Sequence, residues 1–143
     1  MATLVVDTGQ TIIGVFCVED GIYIPYRDGA FALAIQRIAD ADEVVTYNGK
    51  NHDLIELGKF AGLAGRQSLP VKGVHTDMRS VCWSDRIWGA SLRSTYEMHF
   101  SETPDFPDTY EGANEYDVYM TFKLWELLKQ GRLKVLDGTY VAP

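Results

Sequence analysis

Residues 43–53, EVVTYNGKNHD, read as a short buried strand over 44–47, a turn at Asn48-Gly49-Lys50, and a helix that opens near Asn51 with an acid in its first turn. Val, Thr and Tyr favour a pleated backbone, Asn-Gly breaks it, and Asn is a good helix N-cap. Asp53 is thereby held at the carboxyl end of a strand. In an open α/β sheet that rim is where ligands are usually bound.

Upstream, residues 3–6 (TLVV) form an apolar run ended by Asp7-Thr8-Gly9, the pattern of a central strand buried on both faces with Asp7 at its tip. Residues 12–18 (IIGVFCV) predict a second strand. Glu19-Asp20-Gly21 is a tight turn, and residues 22–24 are a third strand stopped by Pro25, completing an antiparallel meander. After a loop at Asp28-Gly29, Phe31, Ile35 and Ile38 recur at helical spacing.

Downstream, the second helix runs from Asn51 to Ala61, with Gly62 and Gly65 both inviting a stop. Pro70 leads to a fifth strand over 71–77 ending in Asp77, which reads as a cap or supporting acid rather than a ligand. Residues 78–88 are helical or irregular, with Trp83 and Trp88 as packing anchors. Ser91 caps a helix over 92–100, and residues 101–111, rich in proline and acids, are a loop and the expected mobile element. A last helix starts near residues 112–114 and ends near Gln130, with Gly131 as its C-cap. Its stripe of Val118, Phe122, Trp125 and Leu128, widened by Leu124 and Leu127, must pack on the sheet, and Asp117 falls in its first turn or just after. Residues 133–143 form a short strand or ordered arm.

These elements predict an α/β fold: a mixed five-stranded sheet, three antiparallel strands and then parallel ones, flanked by helices in a single domain over residues 1–143. The chain is long enough to bury about two-thirds of its unfolded surface, and 46% of its residues are hydrophobic. It has no apolar run near the roughly 20 residues of a membrane span and no basic leader region, so a soluble, cytoplasmic protein is expected. Cys17 and Cys82 lack CxxC spacing and read as buried reduced thiols. The net charge of −7 argues against a broad basic surface gripping duplex nucleic acid. Carboxylates gathered for a cation would supply part of that excess.

With right-handed crossovers, Asp7 and the segment leading into Asp53 reach the same sheet edge, and the closing helix can bring Asp117 beside them. Three converging acids repel one another by about several kcal/mol in a weakly screened site unless a cation lies between them. Oxygen-only ligands suit Mg²⁺ or Mn²⁺, and two such ions can generate an attacking hydroxide and stabilise a leaving oxygen in phosphodiester hydrolysis. Each acid also has a plain structural reading: Asp7 as a turn residue, Asp53 and Asp117 as dipole-favoured helix starts.

VVDTG, VVTYNGKNHDL, HTDMRS, SLRSTYEMHF and NEYDVYMTFKLWELL, spread over residues 3–130, resemble the successive motifs of DEDD-type 3′–5′ exonucleases, the proofreading branch of the ribonuclease H-like superfamily. The resemblance implies a mixed five-stranded sheet, two Mg²⁺ or Mn²⁺ ions, and removal of nucleotides from single-stranded 3′ ends. By this match Asp7, Asp53 and Asp117 are the catalytic, metal-binding aspartates. Asn48 and Asn51 resemble the turn residues that shape the second motif and approach the substrate, and Lys50 between them is a further candidate substrate-binding residue. The chain departs from the pattern twice. Gly9 stands where the first motif has a glutamate, and Ala113 and Gly112 stand where the last motif has a water-directing Tyr or His. Tyr110, Glu111, Glu115 and Tyr116 are the nearby candidates to substitute.

The second reading is therefore a catalytically impaired nuclease-like domain that binds nucleic acid or a protein partner, alone or in a larger assembly. A third is a junction-resolvase-like member of the superfamily, which DTGQTIIGV resembles and TYNGKNHD fits poorly. Tyr47, Trp83, Trp88 and Tyr96 are candidate base-stacking rings, with core packing the commoner role. Lys50, Arg79 and Arg93 are candidate phosphate contacts or surface ion pairs. Among the histidines, only His52, next to Asp53, is kept as a site neighbour. His75 and His99 read as caps or polar packing residues.

Overall fold

A computed structural model of the chain describes residues 1–9, 11–84, 91–135 and 138–143. Strands β1 (Thr3–Thr8), β2 (Ile13–Cys17), β3 (Ile22–Tyr26), β4 (Glu43–Thr46) and β5 (Val74–Asp77) form one sheet in the order β3-β2-β1-β4-β5. β1 pairs antiparallel with β2 and β2 with β3, whereas β1–β4 and β4–β5 are parallel. Helices α1 (Phe31–Asp40), α2 (Asp53–Phe60), α3 (Met78–Ser84), α4 (Leu92–His99) and α5 (Tyr110–Lys129) flank it. This is the mixed five-stranded α/β arrangement that the order of elements predicts, and it is consistent with the ribonuclease H-like fold that the resemblance implies.

The apolar run of β1 is explained by two cores, one on each face of the sheet. Leu4 and Val6 pack with Ala34 and Ile38 of α1 and Leu54 and Leu57 of α2. Val5, pointing the other way, packs with Val45, Met78 and the α5 residues Val118, Leu124 and Leu128. Alternate side chains of a strand face opposite sides, so a strand covered on both must be apolar throughout. Cys17 and Cys82 are both buried and are not joined in a disulfide. Leu133 and Val141 tuck the C-terminal arm against the α5 side, and no helix among the described residues is long and apolar enough to cross a membrane.

Several boundaries differ from those predicted. β3 runs through Pro25 to Tyr26, because β3 is an edge strand where the missing N–H of proline is tolerated. β5 begins only at Val74. Gly73 before it lies so close to the backbone of Ala41 and Asp42 that no side chain would fit. Asn51 does not cap α2. It belongs to the preceding turn, its amide donating to the Asn48 carbonyl at 3.2 Å, and α2 opens at Asp53, with the Leu54 N–H donating to the Gly49 carbonyl at 2.9 Å. Trp83 is not a packing anchor but is 60% exposed on α3; Trp88 lies outside the described residues.

The largest shift concerns α5. Its N-cap is Thr109, whose hydroxyl accepts the Gly112 N–H at 2.9 Å. Gly112 therefore sits inside the first turn instead of ahead of it, where a β-carbon would collide with the backbone of Pro107. Asp117 consequently lies about two turns into the helix, so a helix-start role in the dipole field does not account for it.

Candidate active site

Asp7 is the penultimate residue of β1, next to the α5 helix that crosses the sheet. Its carboxyl group is raised well above the ordinary range by burial first, then by the charges of Asp53 and Asp117, and by a hydrogen bond shared with Asp117. Asp117 is raised more weakly: burial and Asp53 push it up, while the Arg93 guanidinium and the hydrogen bond from Asp7 pull it back.

Asp53, the first residue of α2, is 1% exposed. Its Oδ1 accepts the Thr8 hydroxyl at 2.6 Å and the Thr8 N–H at 3.1 Å. Burial raises its pKa, and the two Thr8 bonds and the charge of His52 oppose the shift. A carboxylate this deep is retained only because the end of β1 supplies donors.

Asp7 and Asp117 line a cleft of about 390 Å³ with Gly9, His52, Tyr110 and Asn114. Asp53 lies against Thr8, another wall of that cleft. The charge of Asp53 raises the proton affinity of both Asp7 and Asp117, and the charge of Asp117 raises that of Asp7. Among the described residues, however, no three His, Cys, Asp or Glu side chains are drawn together as a formed ligand cluster. The donor set is all oxygen and hard, which fits Mg²⁺ or Mn²⁺ rather than a softer metal.

Asn114 is a site residue that the sequence motifs do not mark. It is 3% exposed, its amide donates to the Asp7 carbonyl at 3.0 Å and to Asp7 Oδ2 at 3.2 Å, and its Oδ1 accepts the Tyr23 hydroxyl at 2.6 Å. Gly14 on β2 leaves the space for it; a β-carbon there would occupy the position of the Asn114 amide. The available signal was a glycine inside a strand, which often marks a close approach by another group. Gly9 differs: a β-carbon there would meet only Ile12 O at 3.8 Å and Asn114 Nδ2 at 3.9 Å, which is ordinary contact.

Of the residues considered as replacements for the missing water-directing group, Tyr110 alone lines the acidic cleft, and it is 70% exposed. Glu111 is bound to Arg27 at 2.8 Å. Tyr116 stacks on Phe106 and lies under Arg93, and Glu115 lines a separate groove with Phe16 and Tyr23. His52 is a wall of the cleft, as its place beside Asp53 implied. His75 contacts the Thr46 hydroxyl at 2.8 Å, and His99 joins the Thr95 carbonyl to the Lys134 N–H.

The turn carrying Asn48, Lys50 and Asn51 is organised by Asp77, whose carboxylate accepts the N–H groups of Asn48 at 2.7 Å, Lys50 at 3.1 Å and Arg79 at 3.0 Å. Asp77 is thus a cap, as expected, and more: it holds Asn48 in its left-handed conformation, φ 70°. None of Asn48, Lys50 and Asn51 lines the acidic cleft; Lys50 and Asn51 line the neighbouring surface instead. Tyr47 is held by Thr95 at 3.0 Å, and Tyr96 is 2% exposed and stacked on Phe100, so both rings serve packing.

No protein-family model matches the chain, and no curated protein matches it. Among solved structures, the family B DNA polymerase from the hyperthermophilic archaeon Pyrobaculum calidifontis is similar in three dimensions, with a TM-score of 0.62 and 18% sequence identity. The match covers 90% of this chain and 24% of the polymerase, so the domain corresponds to about a quarter of that protein's length. At this identity the likeness is one of fold, and it agrees with the ribonuclease H-like sheet.

Proposed function

We propose that the domain is a divalent-metal-dependent nuclease of the DEDD kind, releasing nucleotides from the 3′ ends of single-stranded DNA or RNA, with Asp7, Asp53 and Asp117 as metal ligands. The observation that carries this reading is the gathering of three buried or half-buried aspartates at one cleft, Asp7 and Asp117 in its lining and Asp53 against its Thr8 wall. They come from β1, α2 and α5, and the proton affinity of each is raised by burial and, for Asp7 and Asp117, by the charge of another member of the trio. A fold keeps such a cluster at a cost in stability, and a cation relieves that cost. Two Mg²⁺ or Mn²⁺ ions, when bound, supply the Lewis acidity that activates water and stabilises the leaving oxygen. Thr8 keeps Asp53 oriented, Asn114 orients Asp7, and Tyr110 and His52 face the space a terminal nucleotide would enter.

A second reading, a nuclease-like domain that binds nucleic acid or a partner without efficient hydrolysis, is favoured by one feature of the same cleft. Gly9 offers no carboxylate, and the nearest side-chain atom to a β-carbon at that position, at 3.9 Å, is the Asn114 amide nitrogen, a donor that cannot ligate a cation in its bonded orientation.

Thermal unfolding with and without Mn²⁺, followed by digestion of 5′-labelled single-stranded DNA and RNA, separates the two. At a hundred times its dissociation constant a site-bound ion adds about 2.7 kcal/mol of stability. The nuclease reading expects that gain in the wild type, its loss in Asp7→Asn, and a ladder of products shortened from the 3′ end. Stabilisation without cleavage moves the domain to the second reading, and cleavage that survives Asp7→Asn discards the site.

A further inference from the structure

Beside the acidic cleft, across the turn at residues 48–52, lies a second hollow of about 370 Å³ lined by Lys50, Asn51, Arg79, Ser80 and Trp83. On a chain of net charge −7 it gathers two cations and a large exposed ring. Trp83 is 60% exposed, and the Arg79 guanidinium lies 5.6 Å from its ring centroid, one helical turn away on α3. Among the described residues neither Lys50 nor Arg79 forms an ion pair. An exposed tryptophan makes no contribution to the core, and unpaired cations beside it contribute little to stability.

The hollow is built, not incidental. The single carboxylate of Asp77, itself buried, accepts the backbone N–H groups of both Lys50 and Arg79, and so fixes the two cationic residues relative to each other from two different elements. The turn carries its two faces on adjacent residues: Asn51 lines the hollow and His52 lines the acidic cleft. Consecutive Cα atoms are about 3.8 Å apart, so the two spaces are served by one short stretch of backbone.

We propose that this hollow is a binding subsite for single-stranded nucleic acid, with a base stacked on Trp83 and its flanking phosphates held by Lys50 and Arg79. Stacking on an exposed aromatic ring tolerates any base, and point charges on either side follow the backbone. Duplex is disfavoured because its bases are not available to the indole and the chain as a whole carries a net charge of −7. The proposal deepens the nuclease reading and rests on it only for the direction in which the strand continues, toward the aspartates.

The test is fluorescence anisotropy of 5′-fluorescein dT12 and U12, titrated with wild-type protein in EDTA, where no hydrolysis occurs, at several salt concentrations. Trp83→Ala is expected to weaken binding about tenfold or more and Trp83→Phe to recover most of it. Lys50→Ala and Arg79→Ala are each expected to lower the slope of log Kd against log salt by about 0.7, the value for one phosphate on a single strand. Lys50 and Trp83 are exposed and Arg79 is half-buried, and circular dichroism checks the fold. Wild type that fails to bind either strand, or variants that bind with unchanged affinity and slope, would overturn the subsite. The same titration with Asp7→Asn separates the two proposals: retained binding in that variant leaves the subsite standing even where metal binding and cleavage fail.

Discussion

The side-chain amide of Asn114 donates both to the carbonyl oxygen of Asp7, at 3.0 Å, and to its carboxylate Oδ2, at 3.2 Å. One residue of α5 thereby sets the main chain and the side chain of the last acid on β1, with the Tyr23 hydroxyl of the edge strand closing the network at 2.6 Å. A helix, a central strand and an edge strand are locked at one point, and that point is a wall of the acidic cleft.

Replacing Asn114 by Ala should destabilise the domain by about 1–3 kcal/mol, because the Tyr23 hydroxyl loses its partner and a buried donor set is removed. Gly14→Ala should cost a similar amount, about 1–3 kcal/mol, through overpacking against the same amide. If one network is responsible, the double variant will lose clearly less than the sum of the two single losses, as read by urea denaturation.

In the absence of divalent cations, stability should fall as pH rises. The carboxyls of Asp7, Asp53 and Asp117 keep their protons in the folded state above their ordinary value of 3.8. The folded chain therefore binds more protons than the unfolded one between that value and the raised ones. The stability this confers is present at low pH and is lost as pH rises through the raised values. Asp117→Asn removes one charge of the cluster and should raise the melting temperature in EDTA at pH 7 by about 3–5 °C, the shift that roughly 1 kcal/mol produces in a chain of this size. Mn²⁺ should stabilise the wild type and not this variant. Differential scanning calorimetry at pH 5 and pH 7 reads both effects.

Gly9 has room for a side chain, since its nearest neighbours would lie at 3.8 and 3.9 Å from a β-carbon. Gly9→Glu should therefore fold, adding a fourth carboxylate to the cleft. The expected outcome is a lower melting temperature in EDTA, from one more like charge, and tighter Mn²⁺ binding by isothermal titration, by about tenfold or more, as a typical hydrogen-bonded or ligating neighbour contributes. A variant that melts lower in EDTA and gains nothing with Mn²⁺ would argue that the cleft does not hold a cation near Gly9.

The sequence alone determined the sheet, its helices and the acids that end its strands. Apolar alternation and turn residues act over a few neighbours, so TLVV, the Asp20-Gly21 turn and VVTYNG each announce their element without help from the rest of the chain. It also marked Asp7, Asp53, Asp117 and the capping role of Asp77. The structure alone decided that α5 starts at Tyr110, because Gly112 is required by its approach to Pro107, a contact with no local signature. It alone paired Asn114 with Asp7 and Tyr23, residues separated by 107 and 91 positions. And it turned Trp83 outward beside Arg79, which hydrophobicity by itself assigns to the core. Such relationships depend on which surfaces meet when the sheet closes on its helices, and local propensity carries no information about that meeting.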